Sequence, residues 1–230
     1  MSESFFLYIS FFVVTLIVSF YFNGYINKLF IGNKLTDPVN ERSSHKYPAT
    51  RSGGISIFFT VCLACAFGVS TGQLTIPLYA LLSVFFLTLT GFADDLIDIR
   101  YREKLFLQLF AAVLMFQTGY SIDSFHGVFN VYELPYWLEV ASSVFVFVVV
   151  VNALNLIDGL DGMASFISMK FFLVAGGIIL VSKTEWFLFF PIIISALLGF
   201  LWFNFNRNKK VFLGDTGSLF LGSIMAFLLF

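Results

Sequence analysis

Charge is scarce in this chain. Only 12% of its 230 residues are Asp, Glu, Lys or Arg, against 59% that are hydrophobic, whereas an ordinary soluble domain carries about 25% charged residues. A water-facing shell cannot be built from so little, so a soluble globular domain is excluded. Cysteine is nearly absent too: Cys62 and Cys65 are the two present, which excludes a disulfide framework. Their C-x-x-C spacing lies inside an apolar run with no His or second pair nearby. It reads as two small helix residues and not as a metal or redox centre. Met1–Phe22 lacks the basic n-region and small-residue cleavage site of a signal peptide and reads as an uncleaved first span. No internal repeat or low-complexity tract is evident, and residues 1–230 read as one domain. The net charge of −1 constrains little, because in a membrane protein placement outweighs the sum. No nucleic-acid partner is expected.

What is abundant is apolar sequence in runs of membrane-spanning length. After Met1–Phe22 come Gly53–Ser70, Ile76–Ala93, Leu105–Gly119, Trp137–Leu154, Met163–Val181 and Trp186–Phe203, and an eighth run begins at Ser218. The fold class is therefore all-α: a polytopic helical membrane protein with about eight transmembrane helices. The last is incomplete, since Ser218–Phe230 gives about 20 Å of helix against a hydrocarbon core about 30 Å thick. Basic residues fix an orientation. Lys28, Lys34, Arg42, Lys46 and Arg51 follow the first span, Arg100, Arg102 and Lys104 the third, and Arg207, Lys209 and Lys210 the seventh. If the spans alternate, these share one face, and the positive-inside rule makes that face cytoplasmic and the N-terminus external. The outer loop Tyr120–Tyr136 alternates weakly around Gly127 and reads as a short hairpin or an interfacial turn.

The basic face also gathers the acidic motifs. Asn152, Asn155, Asp158 and Asp161 recur every third residue, which on a helix keeps them near one face, and Gly159 and Gly162 interrupt any such helix. Two carboxylates and two carboxamides at the mouth of a span are costly unless a cation or hydrogen-bonding group meets them; the plainer reading is a polar helix end in water. In Asp94-Asp95-x-x-Asp98, helical spacing lets Asp98 share a face with either partner. Crowded carboxylates favour a divalent cation such as Mg²⁺, which takes one or two of them and completes its shell with phosphates and water. The alternative is an acidic loop balanced by Arg100, Arg102 and Lys104. Gly214-Asp215-Thr216-Gly217-Ser218 reads as a helix N-cap or as a metal ligand beside backbone donors. Arg207, Lys209 and Lys210 could pair with phosphates, but headgroup anchoring is the expectation for at least two of them.

Together, Asp94-Asp95-x-x-Asp98, Asn152-x-x-Asn155-x-x-Asp158-Gly159-Leu160-Asp161-Gly162 and Phe212-Leu213-Gly214-Asp215-x-Gly217-Ser218 resemble glycosyltransferase family 4, the polyprenyl-phosphate N-acetylhexosamine-1-phosphate transferases. The Asp37–Gly54 loop is most similar to the branch that initiates O-antigen or other surface polysaccharides. The resemblance implies an integral plasma-membrane enzyme with a cytoplasmic active site. It would transfer a sugar-1-phosphate from a UDP-N-acetylhexosamine to undecaprenyl or another polyprenyl phosphate, with release of UMP and a requirement for Mg²⁺ or Mn²⁺. A homodimer is compatible with it.

By motif match, Asp215 is the expected metal ligand and Asp94, Asp95 and Asp158 are the candidate catalytic residues. Asn155, Asp161, Phe212, Lys46 and His45 are the candidate substrate-binding residues, with Phe212 against the uracil ring. A phosphate monoester has a second pKa of about 6 and is largely deprotonated at neutral pH. Positioning or metal-linked roles for Asp94 and Asp95 therefore come ahead of proton acceptance. Two departures stand out. Asn206-Arg207-Asn208-Lys209-Lys210 replaces the family's Pro-Ala, and the further spans and His-bearing loop expected after Phe230 are missing, so a C-terminally truncated and inactive fragment is the rival reading. An intramembrane prenyltransferase would show two Asp-rich helices and no G-D-x-G-S. A CDP-alcohol phosphotransferase would need D-G-x-x-A-R where Asp161-Gly162-Met163-Ala164-Ser165 stands.

Overall fold

The computed structural model describes residues 2–36, 49–182, 185–206 and 209–230; the candidate residues His45 and Lys46 lie outside them. The described residues form eight α-helices: α1 (Ser2–Gly32), α2 (Gly53–Ser70), α3 (Leu78–Ile97), α4 (Tyr101–Phe116), α5 (Tyr136–Ile157), α6 (Met163–Ser182), α7 (Phe189–Phe205) and α8 (Gly214–Phe227). The only regular elements besides these, among the described residues, are single 3₁₀ turns at Val128–Asn130 and Glu185–Leu188. The eight helices stand where about eight spans were expected, the last of them short. Six helices among the described residues are long and apolar enough to cross a membrane, whereas α4 with 16 residues and α8 with 14 fall short.

Local chemistry sets the helix limits. Pro77 and Pro135 sit in extended conformation just before α3 and α5, where a missing N–H costs nothing, and each carbonyl accepts an early helical bond. Asp98 ends α3 by turning left-handed at φ 48°. It does not continue the helix, so it shares no face with Asp94 or Asp95. α5 stops at Ile157, and the turns that follow pass through Gly162 at φ 71°. α1 runs on to Gly32, past the expected end at Phe22, because Asn23 and Asn27 turn inward. The Asn23 amide donates to the Ser19 carbonyl at 2.9 Å, and Asn27 accepts from the Thr50 hydroxyl at 2.8 Å. The loop 120–135 is an irregular turn held by Ile122 N–H on Ser143 and Leu134 N–H on the Asp123 carbonyl; the hairpin alternative does not form.

Small polar side chains lie among apolar ones inside the bundle, and large apolar side chains cover its outside, as lipid demands. Ser19, Ser56, Thr60, Ser83, Ser195 and Ser223 are buried, each bonded to a helix carbonyl, while Phe6, Phe67, Phe106 and Phe145 are exposed. Without a hydrophobic drive between helices in lipid, close packing of small residues takes over. α8 shows it best. Thr216–Ala226 are all buried between α2, α3 and α5, and Gly54 of α2 lies so close to Gly217 that a Cβ there would stand 2.1 Å from the Gly217 nitrogen. Cys62 and Cys65 are unpaired thiols in α2, as expected.

Candidate active site

Alternation of the helices brings the ends of α3, α5 and α7 and the beginnings of α2, α4, α6 and α8 to one end of the bundle. There, residues 210–213 are laced to the approach to α2. Thr50 N–H donates to Lys210 O (3.3 Å), Phe212 N–H to Thr50 O (2.8 Å), Gly53 N–H to Phe212 O (3.0 Å) and Gly54 N–H to Leu213 O (2.8 Å). The Asn204 amide holds the Val211 carbonyl at 2.8 Å. This lacing places Phe212 and Lys210 at a fixed height above the α8 N-terminus.

Five of the predicted acids converge here. Asp94 accepts from Lys104 Nζ at 2.8 Å and from Ile99 N–H at 2.6 Å, and Lys104 also pairs with Asp215. Asn155 orients its amide to suit the same group: its oxygen accepts from Lys104 at 2.9 Å while its nitrogen donates to Asp215 at 3.2 Å and Ser218 at 2.8 Å. Asp95 accepts from the N–H groups of Asp215 and Thr216, both at 2.9 Å, and from the Thr216 hydroxyl at 2.6 Å. Arg51 lies 3.9 Å from it. Asp161 pairs with Lys210 at 2.6 Å, and the same ammonium stands 5.7 Å above the centre of the Phe212 ring.

Asp158 differs from these. It accepts from Gly214 N–H but has no basic partner among the described residues. Burial, then the nearby charges of Asp215 and Asp95, push its carboxyl up to about 8.

Four of these acids, Asp95, Asp158, Asp161 and Asp215, line a cavity of about 280 Å³ together with Arg51, Asn204 and Phe212. Ser165 Oγ and Asn204 Oδ1 are buried in its wall without a hydrogen-bond partner, so a polar ligand would find them waiting. Among the described residues no three carboxylate, imidazole or thiol groups form a ready-made metal cage. Mg²⁺ does not need one. Asp158 and Asp215, close enough to repel, suit a divalent cation that shares its shell with phosphate. A cation would offset the burial and the neighbouring negative charges that raise the Asp158 carboxyl.

The sequence of residues 77–230 matches the model of the family described as Glycosyl transferase family 4. The chain belongs to that family. Among similar proteins is the "Probable undecaprenyl-phosphate N-acetylglucosaminyl 1-phosphate transferase" of Bacillus subtilis (strain 168), 31% identical over 92% of this chain and 59% of the relative. A phospho-N-acetylmuramoyl-pentapeptide-transferase of Streptococcus sanguinis (strain SK36) is 30% identical over 94% of this chain and 69% of the relative. One of Helicobacter pylori is 32% identical over 76% and 58%. The chain thus spans roughly three-fifths to two-thirds of the length of these family 4 proteins.

The candidate site gathers Asp94, Asp95, Asn155, Asp158, Asp161, Phe212 and Asp215, but not two polar residues of the same motifs. Asp98 is exposed and turned away. Asn152 faces α4, where it and Gln108 exchange amide bonds at 2.6 and 3.2 Å. Lys104 and Arg51 are the residues sequence reasoning missed. Lys104 counted as one of three bases balancing an acidic loop, yet the left-handed turn at Asp98 folds the first turn of α4 back onto Asp94. Its position at the start of the next helix was the available signal. Lys210 is an internal partner of Asp161 and not a headgroup anchor.

Proposed function

We propose that the chain transfers an N-acetylhexosamine-1-phosphate from a UDP-sugar to undecaprenyl or another polyprenyl phosphate at the cytoplasmic face of the plasma membrane, releasing UMP. The observation that carries this reading is the meeting of five carboxylates with Lys104, Lys210 and Arg51 at one end of an apolar bundle, beside a polar cavity lined by Arg51, Asp95, Asp158, Asp161 and Asp215. A polyprenyl tail lies in lipid and brings its phosphate to that depth, while a nucleotide sugar enters from water. The side on which eleven of the 13 basic residues fall supports the cytoplasmic assignment.

In this scheme an oxygen of the lipid phosphate attacks the β-phosphorus of the UDP-sugar. The bond from that phosphorus to the bridging oxygen breaks, and UMP departs with the oxygen. The sugar remains on the new diphosphate. Two anions must approach, so neutralisation and alignment are the main demands. Lys104, held by Asp94, Asn155 and Asp215, places an ammonium beside the acceptor phosphate, and Arg51 faces the diphosphate. Phe212 offers a flat face to the uracil, with Asp161, Asn204 and Ser165 as polar partners at its edge. Asp215, with Asp158, would hold Mg²⁺ or Mn²⁺, which when bound neutralises the diphosphate of the donor. The test is nucleotide release by purified protein with undecaprenyl phosphate, Mg²⁺ and a panel of UDP-N-acetylhexosamines. UMP with one donor is expected; UDP, the product of ordinary glycosyl transfer, would overturn the reading.

A further inference from the structure

Asp95 belongs to the aspartate pair that the sequence marks as candidate catalytic residues, yet its carboxylate is held by three donors of α8. Oδ1 takes the Asp215 N–H; Oδ2 takes both the N–H and the hydroxyl of Thr216. These are the free donors of the first turn of α8, and a carboxylate at a helix N-terminus is stabilised by them and by the helix dipole. An N-cap residue ordinarily precedes its own helix. Here the cap comes from α3, 120 positions earlier in the chain.

Two further features are built around this carboxylate. Gly214 is left-handed at φ 73°, and a Cβ there would stand 2.7 Å from Asp95 Oδ2, so no side chain fits between them. Gly91, one turn before Asp95 on α3, meets the Asp215 carbonyl so closely that a Cβ would stand 2.4 Å from it. The Asp95 side chain is 3% exposed. It borders the cavity, but the carboxylate it presents there is already bonded to three donors of α8.

We infer that Asp95 is a positioning residue: its carboxylate caps α8 and so fixes Asp215, and it contacts neither the phosphates nor the cation itself. The inference rests on the proposed reaction only in taking Asp215 as the group being positioned. It assigns the two members of the aspartate pair different work. Asp94 pairs with Lys104, and Asp95, at the edge of the cavity, bonds the α8 N-terminus.

The experiment compares the wild-type chain with Asp95→Asn and with Thr216→Val. The second removes the hydroxyl bond while keeping the Asp95 charge and both backbone bonds. Amide hydrogen exchange is followed in the peptide that opens α8, Mn²⁺ binding by electron paramagnetic resonance, and UMP release separately. A charge-assisted bond corresponds to about tenfold to a hundredfold in local opening, so exchange there rises by about that factor in Asp95→Asn and by less in Thr216→Val. Mn²⁺ binding weakens in the same order, and raised Mn²⁺ restores turnover. Loss of turnover with exchange and Mn²⁺ affinity unchanged would mean that Asp95 meets substrate directly, and the proposal falls. Faster exchange without weaker Mn²⁺ binding reduces Asp95 to a structural cap and also overturns it. If Asp95→Asn does not fold, Thr216→Val decides between the same outcomes. A wild-type chain that binds Mn²⁺ at Asp215 but releases no UMP contradicts the proposed reaction and leaves this inference to the exchange and binding results.

Discussion

Gly91→Ala tests the α3–α8 contact on which the site geometry depends. A Cβ at that position would stand 2.4 Å from the Asp215 oxygen, 2.6 Å from its carbonyl carbon and 2.7 Å from Thr216 Cα, where ordinary contact begins at 3.4 Å. All three atoms are backbone, so no rotamer change relieves the clash, and α8 must retreat by about 1 Å. Overpacking of this kind costs about 1–3 kcal/mol. Removing a helical glycine returns about 0.5–1 kcal/mol. The net loss lowers Tm by about 2–4 °C per kcal/mol for a chain of this size. The functional cost is larger, because about 1 Å of misplacement at a reacting group is worth about a hundredfold in rate. Gly177→Ala on α6 is the control, since a Cβ there meets nothing within 4 Å. Melting in detergent and UMP release are measured on both. The expected result is a lower Tm and about hundredfold slower release for Gly91→Ala, with Gly177→Ala at least as stable as wild type and equally active. A Gly91→Ala protein indistinguishable from Gly177→Ala would refute the close α3–α8 approach and the placement of Asp215 that follows from it.

Other perturbations have definite signs. The Asp158 carboxyl stands at about 8 in the fold, above its ordinary 3.8, so the folded state favours the neutral acid; that stabilisation is full at low pH and is lost as pH rises through about 8. Asp158→Asn stays neutral, and its Tm relative to wild type should climb between pH 5 and pH 9; a constant difference would contradict the assignment. Lys104→Met leaves Asp94 and Asp215 without their shared ammonium and should cost about 3–5 kcal/mol, the penalty for breaking a largely buried pair; an unchanged Tm would show the cluster to be hydrated. Gln108→Leu or Asn152→Leu alone strands the partner amide at a cost of about 1–3 kcal/mol. The double substitution should recover most of that loss, and additive losses in the cycle would mean the two amides do not depend on each other.

Much of this arrangement can be read from hydropathy. α2 occupies the expected Gly53–Ser70, and α3, α5, α6 and α7 lie within a few residues of their apolar runs. Once spans alternate, the Asp94, Asp158 and Asp215 motifs must meet at one end, which is where they are found. What could not be read depends on contacts between distant segments. The rule for helix N-termini looks for a local cap and proposes Asp215, Thr216 or Ser218; it cannot see that Asp95 arrives from α3 to do the capping. Helical spacing put Asn152 with Asn155, but Gln108, 44 residues earlier, draws it toward α4. It likewise put Asp98 with Asp94, but the left-handed turn that ends α3 removes Asp98 and delivers Lys104 in its place. The first span was expected to end at Phe22, but the inward bonds of Asn23 and Asn27, which hydropathy does not register, carry α1 on to Gly32.

The central claim is that phosphorus moves with the sugar, and labelling the β-phosphate of the UDP-sugar tests it most directly. With undecaprenyl phosphate and Mg²⁺, the account predicts that the label passes into the lipid extract together with the sugar, and that Asp215→Asn abolishes the transfer. Label left in the aqueous phase as UDP while the sugar alone enters the lipid would contradict it.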